Sequence, residues 1–401
     1  MPAVSVSLVP PVVEVLGRCV EPSAEPITAG LLDVLKSVPD PRDRRGRRYP
    51  LWGLLAVAIL ATASGMRSFA GITTWAQMAP EEMLAELGIR FRRPSEKTFR
   101  TILARVDAAE LDRLLGGHFA SIAVAVADEQ LVGVALDGKT VRGARIGGGR
   151  APHLVSVFAH HGALVIGELA VAAKTNEIPT VRKLLRVLGQ VRLLVTMDAM
   201  HTQTATAKLI CGTLKSHYLM VVKDNQPGLA ARIKAQPWAQ VPVVFVDADD
   251  KPSHRGVETR TLKILTPARG IGFPYARQLI EIVRERVVIS TGVRSVETVY
   301  AICSASFEEA PPRQLAKWLR GHWGIENRVH YVRDVTYDED RSTVRTGAAP
   351  QTMASLRNTA MNLHRIAGAV NIAEACRTTA LSHNRGFHLL SNTQNSRSKV
   401  Q

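Results

Sequence analysis

The chain has 401 residues, with 51 Lys or Arg against 35 Asp or Glu, a formal charge of +16 and a sequence pI of about 10.1. That length holds two or three domains with a sizeable core, and the cationic excess favours a polyanionic partner such as nucleic acid. Cys19, Cys211, Cys303 and Cys376 lie far apart with no C-x-x-C pair, which speaks against a disulfide framework or cysteine zinc site and suits a reducing, cytoplasmic setting.

The first residues are mildly apolar but broken by Pro2, Pro10, Pro11 and Glu14, with no basic start, so they do not read as a targeting signal. Residues 1–25 are expected to be loose, and 26–117 to form a helical, DNA-binding region. Leu31, Leu32, Val34 and Leu35 open one helix, Pro39-Asp40-Pro41 breaks it, and Arg42–Arg48 makes a basic turn. Leu51–Met66 is uncharged, yet shorter than the roughly 18 to 20 residues of a membrane helix, and it contains Thr62, Ser64 and Gly65. A buried helix is expected there, and no membrane partner. Phe69–Met78 and Glu81–Leu87 follow as helices. Ser95 then caps another within Phe91–Arg105, a tract carrying Arg92, Arg93, Lys97, Arg100 and Arg105.

From about Gln130 the periodicity changes. Leu131–Leu136, His153–Phe158, Ala163–Leu169, Leu193–Met197 and Tyr218–Val222 read as strands, with helices over Pro179–Leu188 and Ala205–Leu214. This alternation predicts an α/β sheet. Between about 224 and 306, four more runs (Val243–Val246, Val257–Leu265, Leu279–Ile289, Thr298–Cys303) predict a β-rich insertion, or an insertion plus the return to the sheet. Pro311-Pro312 opens a helix from Arg313 to about Val332. Gly347–Gly368 reads as the last helix, and the Ser/Asn-rich end after about Ser382 as disordered.

Gly133–Thr140 matches G-x-x-x-x-G-K-[ST], the phosphate loop of nucleotide hydrolases. The physics opposes that reading. Val134-Ala135-Leu136 continues an apolar strand, Asp137 would aim a negative charge at the phosphate, and Val141–Arg150 is too glycine-rich to begin the required helix.

Asp137 and Asp198 each end or interrupt an apolar strand, where an unpaired charge is expensive unless it binds something. Each could also simply cap a turn, as Asp137-Gly138 suggests. Glu326 lies in a helix-like segment, where a solvated carboxylate is the plain alternative. Carboxylates from separate elements suffice to hold hard divalent ions for phosphoryl transfer. Lys139, Arg142 and Arg145 are placed to hold a DNA backbone beside Asp137, or are solvated turn charges. His201 could position a phosphate or water, or be an ordinary turn histidine. His322, Glu326 and His330 at i, i+4, i+8 imitate a zinc face, but no partner Cys and no H-E-x-x-H accompany them. Asp334, Asp338, Glu339 and Asp340 read as solvated charges after a helix, and Trp323 as a core residue.

The strings ALDGKTVRGAR, KTNEI, VTMDAMHTQ, VKDNQP, HRGVETR and HWGIENRVHYVRDVTYDEDRS, in this order, resemble the DDE transposases of bacterial insertion sequences, of the ISAs type. The resemblance covers most of the chain, including PDPRDRRGRRYPL. It implies a ribonuclease-H-like catalytic domain, here 118–345, with the β-rich insertion before the last acid, followed by a C-terminal helix and tail over 346–401. Carried over, the triad falls on Asp137, Asp198 and Glu326, holding two Mg²⁺ ions with Mn²⁺ able to substitute. The broader family pattern around the last acid (Tyr, Arg, Glu, Lys) meets Leu319, His322, Glu326 and Arg333. The spacings of three, four and seven would set these on one helical face, with His322 and Arg333 as phosphate contacts. The implied partners are the element's terminal repeats and target DNA, with a homodimer or higher oligomer assembled on DNA and a nucleoid-associated, cytoplasmic location. A catalytically inactive DNA-binding descendant and a nuclease without strand transfer are the rival readings.

Overall fold

Apolar residues are shared between two units in the computed structural model, which describes residues 27–127, 131–146, 149–172, 175–188, 192–248, 257–267 and 271–391. The first unit takes the described parts of Met1–Ala127, Gly138–Gly189 and Ile325–Gln401, and the second those of Asp128–Asp137 and Gln190–Gly324. The expectation for residues 1–25 lies outside the described residues.

The first unit opens with helices α1 (Ile27–Ser37), α2 (Leu51–Ala63), α3 (Phe69–Met78), α4 (Glu81–Glu86), α5 (Glu96–Leu103) and α6 (Ala108–Val126). Helix α2 carries no charge and is buried around almost its whole circumference, so it serves as the hydrophobic centre on which the others pack. That role explains an apolar run which is no membrane span: among the described residues, no helix is long and apolar enough to cross a bilayer. The side chains of Ser68, Ser95 and Asp107 accept first-turn N–H groups and start α3, α5 and α6.

Helix α6 runs nine residues past Gly117, where the sequence reading ended the helical region. The glycines there are not breakers. A Cβ on Gly116 would stand 2.7 Å from the Ile166 carbonyl oxygen, so the glycine lets the helix lie against a strand backbone.

That strand is β3 (Val165–Ala170), antiparallel to β2 (His153–Ala159), which neighbours β1 (Val132–Thr140). The last three residues of β1, Gly138–Thr140, belong to this unit. Helix α7 (Glu177–Val187) follows β3.

The second unit holds the start of β1 with β4 (Leu193–Met197), β5 (His217–Val222), β6 (Val243–Ala248), β7 (Val257–Leu265), β8 (Gln278–Val287) and β9 (Arg294–Cys303), in the order β1-β4-β5-β9-β8-β7-β6. Strands β1, β4 and β5 are parallel, and β1 and β4 read as continuous apolar runs because both of their faces are covered. The remaining pairs are antiparallel. The insertion therefore extends the sheet. The helices of the second unit are α8 (Thr204–Lys208), α9 (Pro227–Lys234), which the patterning did not predict, and α10 (Pro312–His322).

The first unit closes with α11 (Tyr331–Val335), α12 (Ala349–Ile366), α13 (Ile372–Ala380) and α14 (His383–Ser391). Two expectations fail here. Gly347–Gly368 does not hold the last helix, and the residues just after Ser382 are helical, because Leu390 joins the core with Phe387 and Leu389 against it. A polar composition concealed three anchoring side chains.

Candidate active site on strands β1 and β4

Strands β1 and β4 pair in register from Val132↔Leu193 to Leu136↔Met197. The next residue on each is an acid, so Asp137 and Asp198 stand at the same level of neighbouring parallel strands. Asp198 begins a tight turn over Ala199–His201. The amide of Asn225 donates to the Ala199 carbonyl at 2.6 Å, Gln226 donates to that of Thr202 at 2.9 Å, and the Thr202 hydroxyl donates to Val221 at 2.6 Å. The first two of these braces come from VKDNQP, a string whose structural work is invisible in the sequence.

His322 closes this side. Its Nε2 lies 3.3 Å from Asp198 Oδ1, and its Nδ1 lies 3.1 Å from Thr196 Oγ1, which also lies 3.0 Å from the Val134 carbonyl. The hydrogen bond to His322 holds the Asp198 carboxyl below the usual aspartate range. Partial burial works against it, while the charges of His322, Lys223 and His201 add to it. The Asp198 side chain is 62% exposed. A carboxylate fixed on one edge and open on the other, next to a second carboxylate, suits a hard divalent ion that keeps several waters. The carboxylate oxygens of Asp137 and Asp198 are hard donors, and among the described residues no thiol stands beside them, which fits Mg²⁺ or Mn²⁺ better than a structural zinc site.

Glu326 belongs to the first unit, four residues along the chain from His322. It is 61% exposed and opens a π turn, Glu326–His330, in which His330 Nδ1 lies 3.3 Å from Glu326 Oε2. The wider π turn breaks the 3.6-residue phase that placed Glu326 and Arg333 on one face.

The consequence is a correction at Arg333. Its side chain is fully buried, with Nη1 2.5 Å from Glu168 and Nη2 2.8 Å from Glu339. A guanidinium without surface, committed to two carboxylates, does not meet a phosphate in this arrangement. Glu339 is shared with Arg357 at 2.8 Å. Burial works to raise the Glu339 pKa, but Arg333 and Arg357 outweigh it and bring it to about 2. The acids after the helix are thus partly structural: Glu339 is buried, and Asp334 holds Lys139 Nζ at 2.6 Å with Asp340 at 3.7 Å.

The other expected contacts divide by exposure. Lys139 and His201 are buried, while Arg142 and Arg145 are exposed, Arg142 standing 3.8 Å from Asp340. Trp323, expected in the core, is exposed, with the Arg284 guanidinium 5.8 Å from its ring centre.

Comparison with known proteins adds an independent result. The family model described as "Transposase DDE domain" matches residues 128–363, and one described as "DDE_Tnp_1-associated" matches residues 32–119. The chain is 27% identical over 348 residues to the "Putative transposase YncI" of Escherichia coli O157:H7, covering 84% of this chain and 87% of that protein. It is 26% identical over 350 residues to "Putative protein YbfL" of Escherichia coli (strain K12), covering 83% and 89%. A piggyBac transposase synaptic complex with hairpin DNA aligns over 92% of this chain and 80% of that one at 11% identity. The TM-score of that alignment is 0.38, too low to establish a shared fold.

Proposed function

This chain belongs to the DDE transposase family, and we propose that it acts as an insertion-sequence transposase that binds the terminal inverted repeats of an element and cleaves and joins DNA strands there. The reading assigns metal binding to Asp137, Asp198 and Glu326. The single observation that carries it is the register Leu136↔Met197, which sets two acids side by side on parallel strands. Membership in that family supports giving these acids a metal-binding role.

A ribonuclease-H-like catalytic fold is part of the proposal. It is supported by the succession β3-β2-β1 in the first unit and β1-β4-β5 in the second, with helices between the later strands. The cationic excess of the chain supports a DNA partner.

In this mechanism the residues divide the work. Asp137 and Asp198 supply anionic oxygens, and His322 with Thr196 holds one edge of Asp198 so that its other edge faces solvent. Arg142 and Arg145 offer exposed cations to the strand backbone. A pair of divalent ions, when bound, stabilises the attacking and leaving oxygens of an in-line displacement. In cleavage water attacks the phosphate and the 3′-oxygen leaves as a hydroxyl; in joining that 3′-hydroxyl attacks a target phosphate and displaces the target strand's own 3′-oxygen.

The test is cleavage and joining of DNA carrying the inverted repeats that flank the reading frame. Mg²⁺-dependent cleavage and joining are expected from the native chain, and Asp137→Ala, Asp198→Ala and Glu326→Ala should each abolish both while end binding persists. Retained cleavage in any variant removes that residue from the site. Cleavage without joining by the native chain points to a nuclease, and end binding without cleavage to an inactive descendant.

A further inference from the structure

The stretch immediately after Asp137 carries a hydrogen-bonded relay that the proposed mechanism does not use. Thr140 Oγ1 lies 2.8 Å from His153 Nδ1, and His153 Nε2 lies 2.7 Å from Glu177 Oε1. Three elements contribute: the end of β1, the first residue of β2, and the first residue of α7. The start of α7 is fixed in turn by Asn176, whose side chain accepts from Ile178 N. Glu177 accepts, so His153 presents a proton at Nε2, which leaves Nδ1 to accept from the Thr140 hydroxyl. Both ends of the imidazole are thereby tied, and neither the histidine nor the glutamate is more than about a third exposed.

The relay presses against one residue. A Cβ on Gly138 would stand 2.5 Å from His153 Nε2, 2.6 Å from Glu177 Cδ and 2.7 Å from Glu177 Oε1. Only a glycine admits the pair at this depth. Gly138 is bonded to Asp137, so the hydrogen-bonded pair braces the peptide that follows this acid, while the Thr140 bond ties the strand two residues further on. The pair stands where a small shift of β1 moves the Asp137 carboxylate, and carboxylate ligation of a small divalent ion tolerates little displacement.

We propose that His153 and Glu177, acting through Thr140 and Gly138, are positioning residues for Asp137 that tune its affinity for the divalent ion. The proposal rests on the reading of Asp137 as a metal ligand.

The test compares E177A, T140V and H153Q with the native chain, measuring Mn²⁺ affinity by calorimetry on the full-length protein, together with end binding, cleavage and thermal melting. E177A and T140V are expected to bind Mn²⁺ about tenfold more weakly, in the range seen for groups that orient metal ligands, with end binding unchanged. H153Q, whose amide can donate to Glu177 and accept from Thr140, is expected to stay within about threefold of the native affinity. T140V is nearly isosteric and decides the matter if E177A melts early. Native Mn²⁺ affinity in T140V overturns the proposal, as does a loss in H153Q as large as that in E177A. Asp137→Ala separates the two levels: if it keeps native cleavage and Mn²⁺ affinity, the reading of the site fails, whereas its inactivity beside native affinity in T140V defeats the positioning alone.

Discussion

His322 Nε2 stands 3.3 Å from Asp198 Oδ1 while its other ring nitrogen meets Thr196, one residue before the end of β4. The imidazole thus ties the acid to the strand that carries it. Replacing His322 by Ala is expected to lower Mg²⁺-dependent cleavage by about 10- to 100-fold, as loss of groups that orient metal ligands does, with end binding intact. Cleavage assays across Mg²⁺ concentrations decide it. An unchanged rate and Mg²⁺ requirement would dismiss His322 as an orienting group.

Arg333 makes the opposite kind of prediction, because it is buried between Glu168 and Glu339. Arg333→Met leaves the buried Glu168 without its cation and Glu339 with Arg357 alone, and should cost about 3–5 kcal/mol of stability in urea unfolding. Arg142→Ala, at an exposed cation, should stay within about 0.5 kcal/mol of the native chain. Equal stability of both variants would contradict the network.

The same network sets an acid limit. Glu339 is held at about 2 against an ordinary value of 4.5, so its contribution is fully present above the unfolded value and is lost as pH falls from about 4.5 through about 2. Unfolding free energies measured from pH 6 down to pH 2.5 should fall more steeply for the native chain than for Glu339→Gln. Parallel profiles would show that this carboxylate does not carry the limit.

Gly116 gives a packing test. The methyl of Gly116→Ala would crowd the Ile166 carbonyl at 2.7 Å, and the expected cost is about 1–3 kcal/mol despite the better helix propensity of alanine. Gly117→Ala, where a Cβ meets nothing within 4 Å, should be neutral or stabilising. Thermal melts of the two variants should therefore move apart, and a shared shift would count against the close approach.

Arg142 tests the nucleic-acid face. If it contacts a phosphate, Arg142→Ala weakens end binding and lowers the slope of log affinity against log salt by about 1. An unchanged slope would mean the residue is only solvated.

Much of this was legible from patterning. The apolar runs around Leu136 and Met197 mark buried parallel strands, and the acid following each marks the proposed site. The register that makes Asp137 and Asp198 neighbours was not legible, because strand pairing depends on the whole sheet. Arg333 misled through an assumed α-helical phase that a π turn breaks, and the helical region expected to end at 117 runs on because Gly116 serves a close contact inside the helix. Glu339 and Asp334 read as surface charges because nothing local reveals that Arg333 and Lys139 come to meet them.

If Asp137 and Asp198 act on one shared ion, a double-mutant cycle at the two positions reveals it. Mn²⁺ affinity and cleavage are measured for Asp137→Asn, Asp198→Asn and the double variant, which preserve shape and remove charge. Each single change should weaken Mn²⁺ binding at least about tenfold and silence cleavage, and the double should lose far less than the sum of the two, as groups that share a partner do. Native Mn²⁺ affinity and cleavage in either single variant, or full additivity in binding, would contradict it.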